Sequence, residues 1–351
     1  MKDRLVLGID TSCDDTSIAV LSGRRVLSSI VSSQLEIHAE YGGIVPNIAR
    51  REHEKNIPNV FEEALKKARV NIENIEYIAV TYGPGLAIDL EVGITFAKEL
   101  SKKYNIPVLP VNHMEGHLLS PLLLNSYGSG LESIEDIFPS LGLLISGKHT
   151  EILRVDEIGK YEKLGQTLDD AAGEAFDKVG RILNFGYPGG PVLSEFAKKG
   201  KSGVIKFPIP MRNSSDLNFS FSGIKTAALY KSKELREQGI PEKEWVYDFC
   251  RGFVDAVFES IAIKLSKAIE GNPEVSTVLV GGGVFNSEEI LRRVGKLVRS
   301  YSLNFYYPKK EYRGDNGAMI ALVGYLHTEK NIKGLLGEEL DSLDRNPRLS
   351  L

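Results

Sequence analysis

Two stretches of this chain carry the same succession of apolar and polar runs. The first opens on the apolar run 5–10, followed at hairpin spacing by runs 17–21 and 26–31. Three antiparallel strands are predicted there, with turns at 12–15 and 22–24. A helical pattern then covers 46–68, with Ile48, Ile57, Val60, Phe61, Ala64 and Leu65 on its apolar side. The buried-strand pattern 77–80 closes on the turn Gly83-Pro84-Gly85. Helix 92–103 and strand 108–111 complete a βαβ alternation, the mark of an α/β layer.

After a loop-like segment at 125–136, carrying Ser126, Gly128, Ser129 and Gly130, the pattern begins again. Strand 141–145, the turn Ser146-Gly147-Lys148-His149-Thr150 and strand 151–155 make a second hairpin. Helices are predicted at 170–183, 221–233 and 245–270. Strand 275–280 ends in Gly281-Gly282-Gly283 with a helix behind it, strand 303–307 and helix 316–327 follow, and 341–351 has loop composition. What recurs is the order of elements, not the residues. Two unrelated α/β domains give the same order, but a polar-turned hairpin opening each half is the organisation of the duplicated, two-lobed actin/hexokinase/Hsp70-like architecture. On that reading an N-terminal lobe spans 1–137 and is rejoined by a C-terminal helix at 316–330, a C-terminal lobe spans 138–315, and 331–351 is a tail.

At 351 residues the chain has the length of about two domains, and 42% hydrophobic residues fill two cores. A net charge of -4 excludes a basic coat, though not a local basic patch. Cys13 and Cys250 are too few for a disulfide framework, which fits a reducing compartment. No signal core, transit segment or ~20-residue apolar stretch is read, so a cytoplasmic protein with no membrane partner is expected.

In a two-lobed nucleotide cradle the phosphates rest on hairpin turns. Backbone N–H groups in a tight bend form an anion nest, and small residues let the ligand approach. Asp10-Thr11-Ser12 and the turn at 146–150 stand at matching points of the two halves. Thr11 and Ser12 are therefore phosphate-loop candidates, and Lys148 offers a cation; each is also an ordinary turn residue. Gly282 and Gly283 make sense where a purine or ribose packs flat on the backbone, a tight strand-to-helix turn being the plainer explanation. No GxxxxGK[ST] is present and no GxGxxG opens a helix, so neither a P-loop nor a dinucleotide site is read.

Asn112-His113-Met114-Glu115-Gly116-His117 follows a strand and opens a helix. Residues four apart lie ~40° apart around a helix, so His113 and His117 share a face and can ligate one ion, while Glu115 is turned ~200° away. In HExxH proteases the glutamate directly follows the first histidine and serves as general base; the order HxExH does not support that mechanism. A third ligand is needed. Asp315, in Tyr312-Arg313-Gly314-Asp315-Asn316-Gly317-Ala318, stands at a predicted helix start, where an N-cap role serves equally well. Spacing alone does not bring it to the histidines. Two histidines and a carboxylate suit one divalent iron or zinc with positions left open.

Asp170, Glu174, Asp177 and Arg181 form one stripe of helix 170–183, opposite Phe176, Val179 and Leu183. A solvated face with ion pairs such as Asp177–Arg181 accounts for that spacing. Tyr187-Pro188-Gly189-Gly190-Pro191 reads as a rigid turn.

These residues resemble the universal tRNA threonylcarbamoyltransferases, formerly called O-sialoglycoprotein endopeptidases, in their bacterial form. The matching stretches are Gly8-Ile9-Asp10-Thr11-Ser12-Cys13-Asp14-Asp15-Thr16, Gly42-Gly43-Ile44-Val45-Pro46, Gly83-Pro84-Gly85-Leu86 and the two-histidine motif. They continue through Asp169-Asp170-Ala171-Ala172-Gly173-Glu174-Ala175-Phe176-Asp177-Lys178, residues 187–191, Phe219-Ser220-Phe221-Ser222-Gly223-Ile224-Lys225-Thr226 and 315–320. Together they cover about residues 5 to 327.

The resemblance implies the two-lobed actin-like fold and transfer of a threonylcarbamoyl group from threonylcarbamoyl-AMP to N6 of adenosine 37 in tRNAs reading ANN codons. It implies His113, His117 and Asp315 as metal ligands and an adenylate loop of Leu144, Ile145, Ser146, Gly147 and Lys148. Asp177, Gly190 and Asn286 are implied as further adenine-nucleotide contacts. The implied partners are tRNA and accessory subunits, including an actin-like paralogue and a small ATPase. Two positions depart from the family's pattern. Lys148 replaces a second glycine, and Asn286 follows Val284 by two places where three is usual, which leaves Ser287 in the expected slot. No catalytic residue or general base is assigned. A metal-dependent glycoprotein endopeptidase and a non-catalytic nucleotide-binding scaffold remain as alternatives. For tRNA, Arg212 and Lys225 flank a polar loop and are the contacts expected, whereas Arg50, Arg51 and Lys55 alternate with Glu52 and Glu54. Binding by the chain alone is expected to be weak and salt-dependent.

Overall fold

In a computed structural model of the chain, residues 3–131 and 133–351 are described. Met1 and Lys2, at the head of the first predicted lobe, and Glu132, within the predicted 125–136 loop, lie outside the described residues. The chain forms two compact units, one of Met1–Asp136 with Tyr307–Leu351 and one of Ile137–Tyr306.

In the first unit β1 (Leu5–Asp10), β2 (Asp15–Ser22) and β3 (Arg25–Ser33) are followed by α1 (Leu35–Glu40) and α2 (Pro46–Ala68). Then come β4 (Tyr77–Gly83), α3 (Ala87–Tyr104), β5 (Val108–Asn112) and the short α4 (His113–Leu119). The sheet runs β3-β2-β1-β4-β5, with β1 antiparallel to β2 and parallel to β4. Leu7, Ile9, Ile18 and Val20 of the sheet pack with Ile57 and Val60 of α2 and Val92 and Ile94 of α3. Burial of each such side chain is worth ~1.5–3 kcal/mol relative to exposure, and this is what orders the layer.

The second unit holds β6 (Ser140–Ile145), β7 (Thr150–Glu157), β8 (Lys160–Gln166), α5 (Ala172–Ile182) and α6 (Gly189–Ala197). Next are α7 (Ser222–Glu237), α8 (Glu242–Glu270), β9 (Thr277–Gly281), α9 (Glu288–Ser300) and β10 (Asn304–Tyr306). Read from β8, its sheet runs β8-β7-β6-β9-β10, and each pairing has the same sense as its counterpart in the first unit. The duplication expected from element order is present strand for strand. Its core gathers Leu141 and Leu143 under Phe176, Phe249 and Phe253.

The chain then returns to the first unit through α10 (Gly317–Glu329) and α11 (Gly337–Asp341). A Cβ on Gly8 of β1 would come within 2.1 Å of the Gly317 carbonyl oxygen, so this crossing requires glycine. That close approach carries the residues just before α10 to the end of β1.

Besides the five-residue α11, which falls in the stretch read as a tail, three elements were not in the predicted set. β8 (KYEKLGQ) is an edge strand with few buried residues, so it lacks the one-sided apolar alternation that marks a strand. α1 is six residues long, too short to show a period. α6 begins on the glycines read as a rigid turn, because Gly180 and Gly189 let α5 and α6 touch backbone to backbone: a Cβ on Gly180 would stand 2.5 Å from Gly189 Cα. α5 also starts at Ala172 and not at Asp170. No helix among the described residues is long and apolar enough to cross a membrane.

Candidate functional site

In the first unit Asp10, His113, His117 and Asp315 come together where β1, β5 and α10 meet. Asn112 ends β5 and caps α4, its Oδ1 accepting from Met114 N at 2.8 Å. With the helix started at that residue, His113 and His117 leave the same face one turn apart, ring centroids 4.7 Å from each other. Asp315 reaches both: its Oδ1 is 3.1 Å from His117 Nε2 and 3.5 Å from His113 Nε2. It is not the N-cap that its position suggested. Asn316 fills that role, its Oδ1 accepting from Met319 N at 2.9 Å, and Asp315 is left to face the histidines.

The other nitrogen of His113 is also engaged. Nδ1 stands 3.4 Å from Asp10 Oδ2 and 3.1 Å from Ser12 Oγ. Burial alone would favour neutral His113, but the adjacent Asp10 and Asp315 outweigh it and push its pKa up to about 10. Burial likewise opposes charge on Asp315, yet His113 and His117 hold its carboxyl well below the usual range. Asp15 nearby is raised to about 7, by burial and by Asp315, Asp14 and Asp10. His113, His117 and Asp315 can bring three ligand atoms within 4.8 Å of one another, and Asp10 behind His113 is the carboxylate support that metal-bound imidazoles ordinarily have. The donor set fits a divalent cation.

Glu115, between the two histidines in sequence, turns away and lies 3.1 Å from His327 Nε2. Thr11 and Ser12 have tasks other than an open anion nest. Thr11 Oγ1 donates to Asp89 O (2.8 Å) and accepts from Gly93 N (3.1 Å), tying β1 to α3, and Ser12 is turned to His113. Both are buried.

In the second unit the turn between β6 and β7 is held by Ser146, whose N donates to His149 O (2.8 Å) and whose Oγ accepts from His149 N (3.2 Å) and Lys148 N (3.4 Å). Gly147 and Lys148 are exposed at its tip, and a Cβ on Gly147 would meet nothing within 4 Å. Leu144 and Ile145 are buried, so only their backbone is on offer. The start of α5 joins the turn: Gly173 N donates to Ser146 O (3.3 Å) and Ala172 N to Thr150 Oγ1 (3.0 Å). The Gly282 bend, at φ 102°, closes against Ile145 from β9. Hairpin tip, helix start and glycine bend thus converge, and the sequence offered no sign that Gly173 belongs with them.

Asp177 Oδ1 accepts from Gly190 N at 2.9 Å, so the two implied nucleotide contacts are neighbours. Asn286 is exposed and ends a 3-10 turn after Gly283, with Ser287 next to it at the start of α9. The acidic stripe is cross-linked by Lys178, which bridges Asp170 (2.9 Å) and Glu174 (2.6 Å). Lys225 also lies on Asp170, and Arg212 is exposed, 3.5 Å from Glu259. The pairing of Lys225 reduces what it can offer a phosphate.

The family model described as tRNA N6-adenosine threonylcarbamoyltransferase matches residues 25–322. A protein of that name from Thermodesulfovibrio yellowstonii is 44% identical over 349 residues, 99% of this chain and 99% of its own. Another from Thermosipho africanus is 43% identical over 328 residues, 93% of this chain and 96% of its own. Distant solved structures share the fold. Full-length HypF in its phosphate- and nucleotide-bound form has a TM-score of 0.58 at 14% identity, covering 93% of this chain and 56% of that one. The activator of 2-hydroxyisocaproyl-CoA dehydratase from Clostridium difficile with bound ADPNP has a TM-score of 0.50 at 15% identity, covering 95% and 100%. Similarity at this level, running nearly end to end, leaves one assignment: the chain belongs to the tRNA N6-adenosine threonylcarbamoyltransferase family.

Proposed function

We infer that this protein transfers the threonylcarbamoyl group of threonylcarbamoyl-AMP to N6 of adenosine 37 in tRNAs reading ANN codons. Beyond family membership, one observation supports this chemistry: His113, His117 and Asp315 converge in the first unit, with Asp10 behind His113. We assign to the three a divalent iron or zinc, which when bound would supply a Lewis acid for the acyl group.

The remaining work falls to the chain's own groups. The hairpin tip from Leu144 to Lys148 offers the adenylate backbone N–H groups, and Asp177, Gly190 and Asn286 add nucleotide contacts. Attack forms the N6–carbonyl bond and breaks the acyl–phosphate bond, AMP leaving with the bonding electrons and N6 losing a proton. Donors aimed at the leaving phosphate stabilise the charge that grows there. The exocyclic amine of adenine is a weak nucleophile, so orientation carries much of the rate. We place the reaction in the cytoplasm, with accessory subunits, including an actin-like paralogue and a small ATPase, to help capture tRNA.

Glu115 weighs against the endopeptidase reading: paired with His327, it is not a base for metal-bound water. Lys148, the departure that would favour a non-catalytic scaffold, is exposed at the tip and leaves the turn's backbone accessible. The test is a nucleoside digest of tRNA incubated with the protein, accessory subunits and threonylcarbamoyl-AMP. Threonylcarbamoyladenosine is expected, absent with His113→Ala; no product in a complex with metal bound would defeat the assignment.

A further inference from the structure

Residues 344–351 run across the edge of the first unit's sheet at which the histidines stand. Just upstream of this segment Lys98 of α3 donates to Leu343 O at 2.7 Å, and within it Arg345 lies 3.6 Å from Glu91, nearer the start of the same helix. From there the chain crosses the ends of β4 and β5. Asn346 N donates to Tyr82 O (2.6 Å), Gly85 N donates to Pro347 O (3.4 Å), and Asn112 Nδ2 donates to Ser350 O (3.2 Å). The strap uses mainly its backbone. Gly83 is shaped for it, since a Cβ there would stand 1.9 Å from Asn346 O.

Most of the strap's residues are exposed, so it adds little to the core. What it does fix is Asn112. The side-chain amide of that residue is held at both ends, Oδ1 by Met114 N and Nδ2 by Ser350 O, and the next residue is His113. An N-cap whose rotamer is fixed from outside fixes the first turn of the helix it starts.

We propose that 344–351 is a positioning strap for the metal centre: through Asn112 it orients the first turn of α4 and so sets the metal affinity of His113, His117 and Asp315. This rests on the metal reading given above. Partners that orient metal ligands from outside the coordination sphere commonly change affinity 10- to 100-fold. Because the strap acts at one remove, through the cap, the low end of that range is expected.

The experiment titrates metal-free full-length protein with zinc against a chromophoric chelator. Four variants are compared with wild type: deletion of 344–351, Asn112→Ser, the two combined, and Arg348→Ala. Serine still caps the helix but is too short to reach Ser350. Deletion and Asn112→Ser should each weaken zinc about tenfold, and the combination no more than either alone, since both cut one link. Arg348→Ala, an exposed side chain with no part in the link, should bind as wild type does. Zinc affinity within twofold of wild type in the deletion, or additive losses in the combination, would overturn the strap's role. Should the deletion melt more than about 2 °C below wild type without metal, Asn112→Ser decides: tenfold weakening supports the strap and unchanged affinity overturns it. The metal reading has its own control, because wild type binding zinc no better than His113→Ala removes that reading and the strap's role with it.

Discussion

The carbonyl oxygen of Ile145 occupies the place where a side chain on Gly282 would begin: a Cβ there would stand 2.4 Å away. Gly282 also holds φ at 102°, a region that L-residues rarely enter. The glycine bend after β9 is thus required by the protein's own backbone before any ligand is considered. Gly282→Val should lower stability by several times the ~1 kcal/mol of an ordinary glycine replacement, seen as a large fall in melting temperature. A variant melting like wild type would contradict this packing.

Gly147 gives the complementary case. A Cβ there meets nothing, so Gly147→Val should leave the melting temperature alone while obstructing backbone approach at the hairpin tip. Calorimetry should show AMP or ATP affinity reduced about tenfold or more, a loss of ~1.4 kcal/mol. Unchanged affinity in the folded variant would remove the tip from the nucleotide site.

The contrast between these glycines shows what the sequence discloses. Three glycines after an apolar run announce a bend, but whether it serves a ligand or a neighbouring strand depends on β6, far away in sequence. The histidine pair was legible because helix period alone puts residues four apart on one face. Asp315 was not, since helix starts favour both Asp and Asn and only the fold shows that Asn316 caps. Asp10 was in a quoted motif, yet its place behind His113 arises from β1 lying next to β4 and β4 next to β5. The strands with a buried side were foreseen; β8 was missed because an edge strand has little to bury.

At the metal centre the expected outcome is about one iron or zinc per chain, and close to none in His113→Ala/His117→Ala, by elemental analysis of the folded proteins. Both side chains lie within ligand reach of Asp315, so no third histidine is needed to explain retention. Equal metal in both proteins would dismiss the cluster.

Asp15 supplies a pH signature in the metal-free chain. Its folded pKa of about 7 lies above the ordinary 3.8, through burial and the neighbouring Asp315, Asp14 and Asp10. The folded state therefore holds the proton more tightly than the unfolded state. The contribution of this group is fully present below about pH 3.8 and is lost as pH rises through 7. Asp15→Asn should raise the melting temperature relative to wild type at pH 8 and leave it nearly unchanged at pH 4. A gain of equal size at both would show that charge on Asp15 is not what matters.

The two residues expected to meet tRNA should behave differently. Arg212 is 57% exposed and only loosely opposed by Glu259, whereas Lys225 is buried more deeply against Asp170, which Lys178 also holds. A lysine committed to a carboxylate releases few counterions when a phosphate arrives, and a free arginine releases about one. Arg212→Ala should therefore reduce the slope of log affinity against log salt by about 1 and weaken binding across tRNA sequences alike. Lys225→Ala should change that slope little and act on stability instead, because it removes the ion pair by which α7 holds Asp170 just ahead of α5. Filter binding at several salt concentrations, alongside melting curves, separates the two. Equal slope changes in both variants would mean that the Lys225–Asp170 pair opens to take the tRNA backbone.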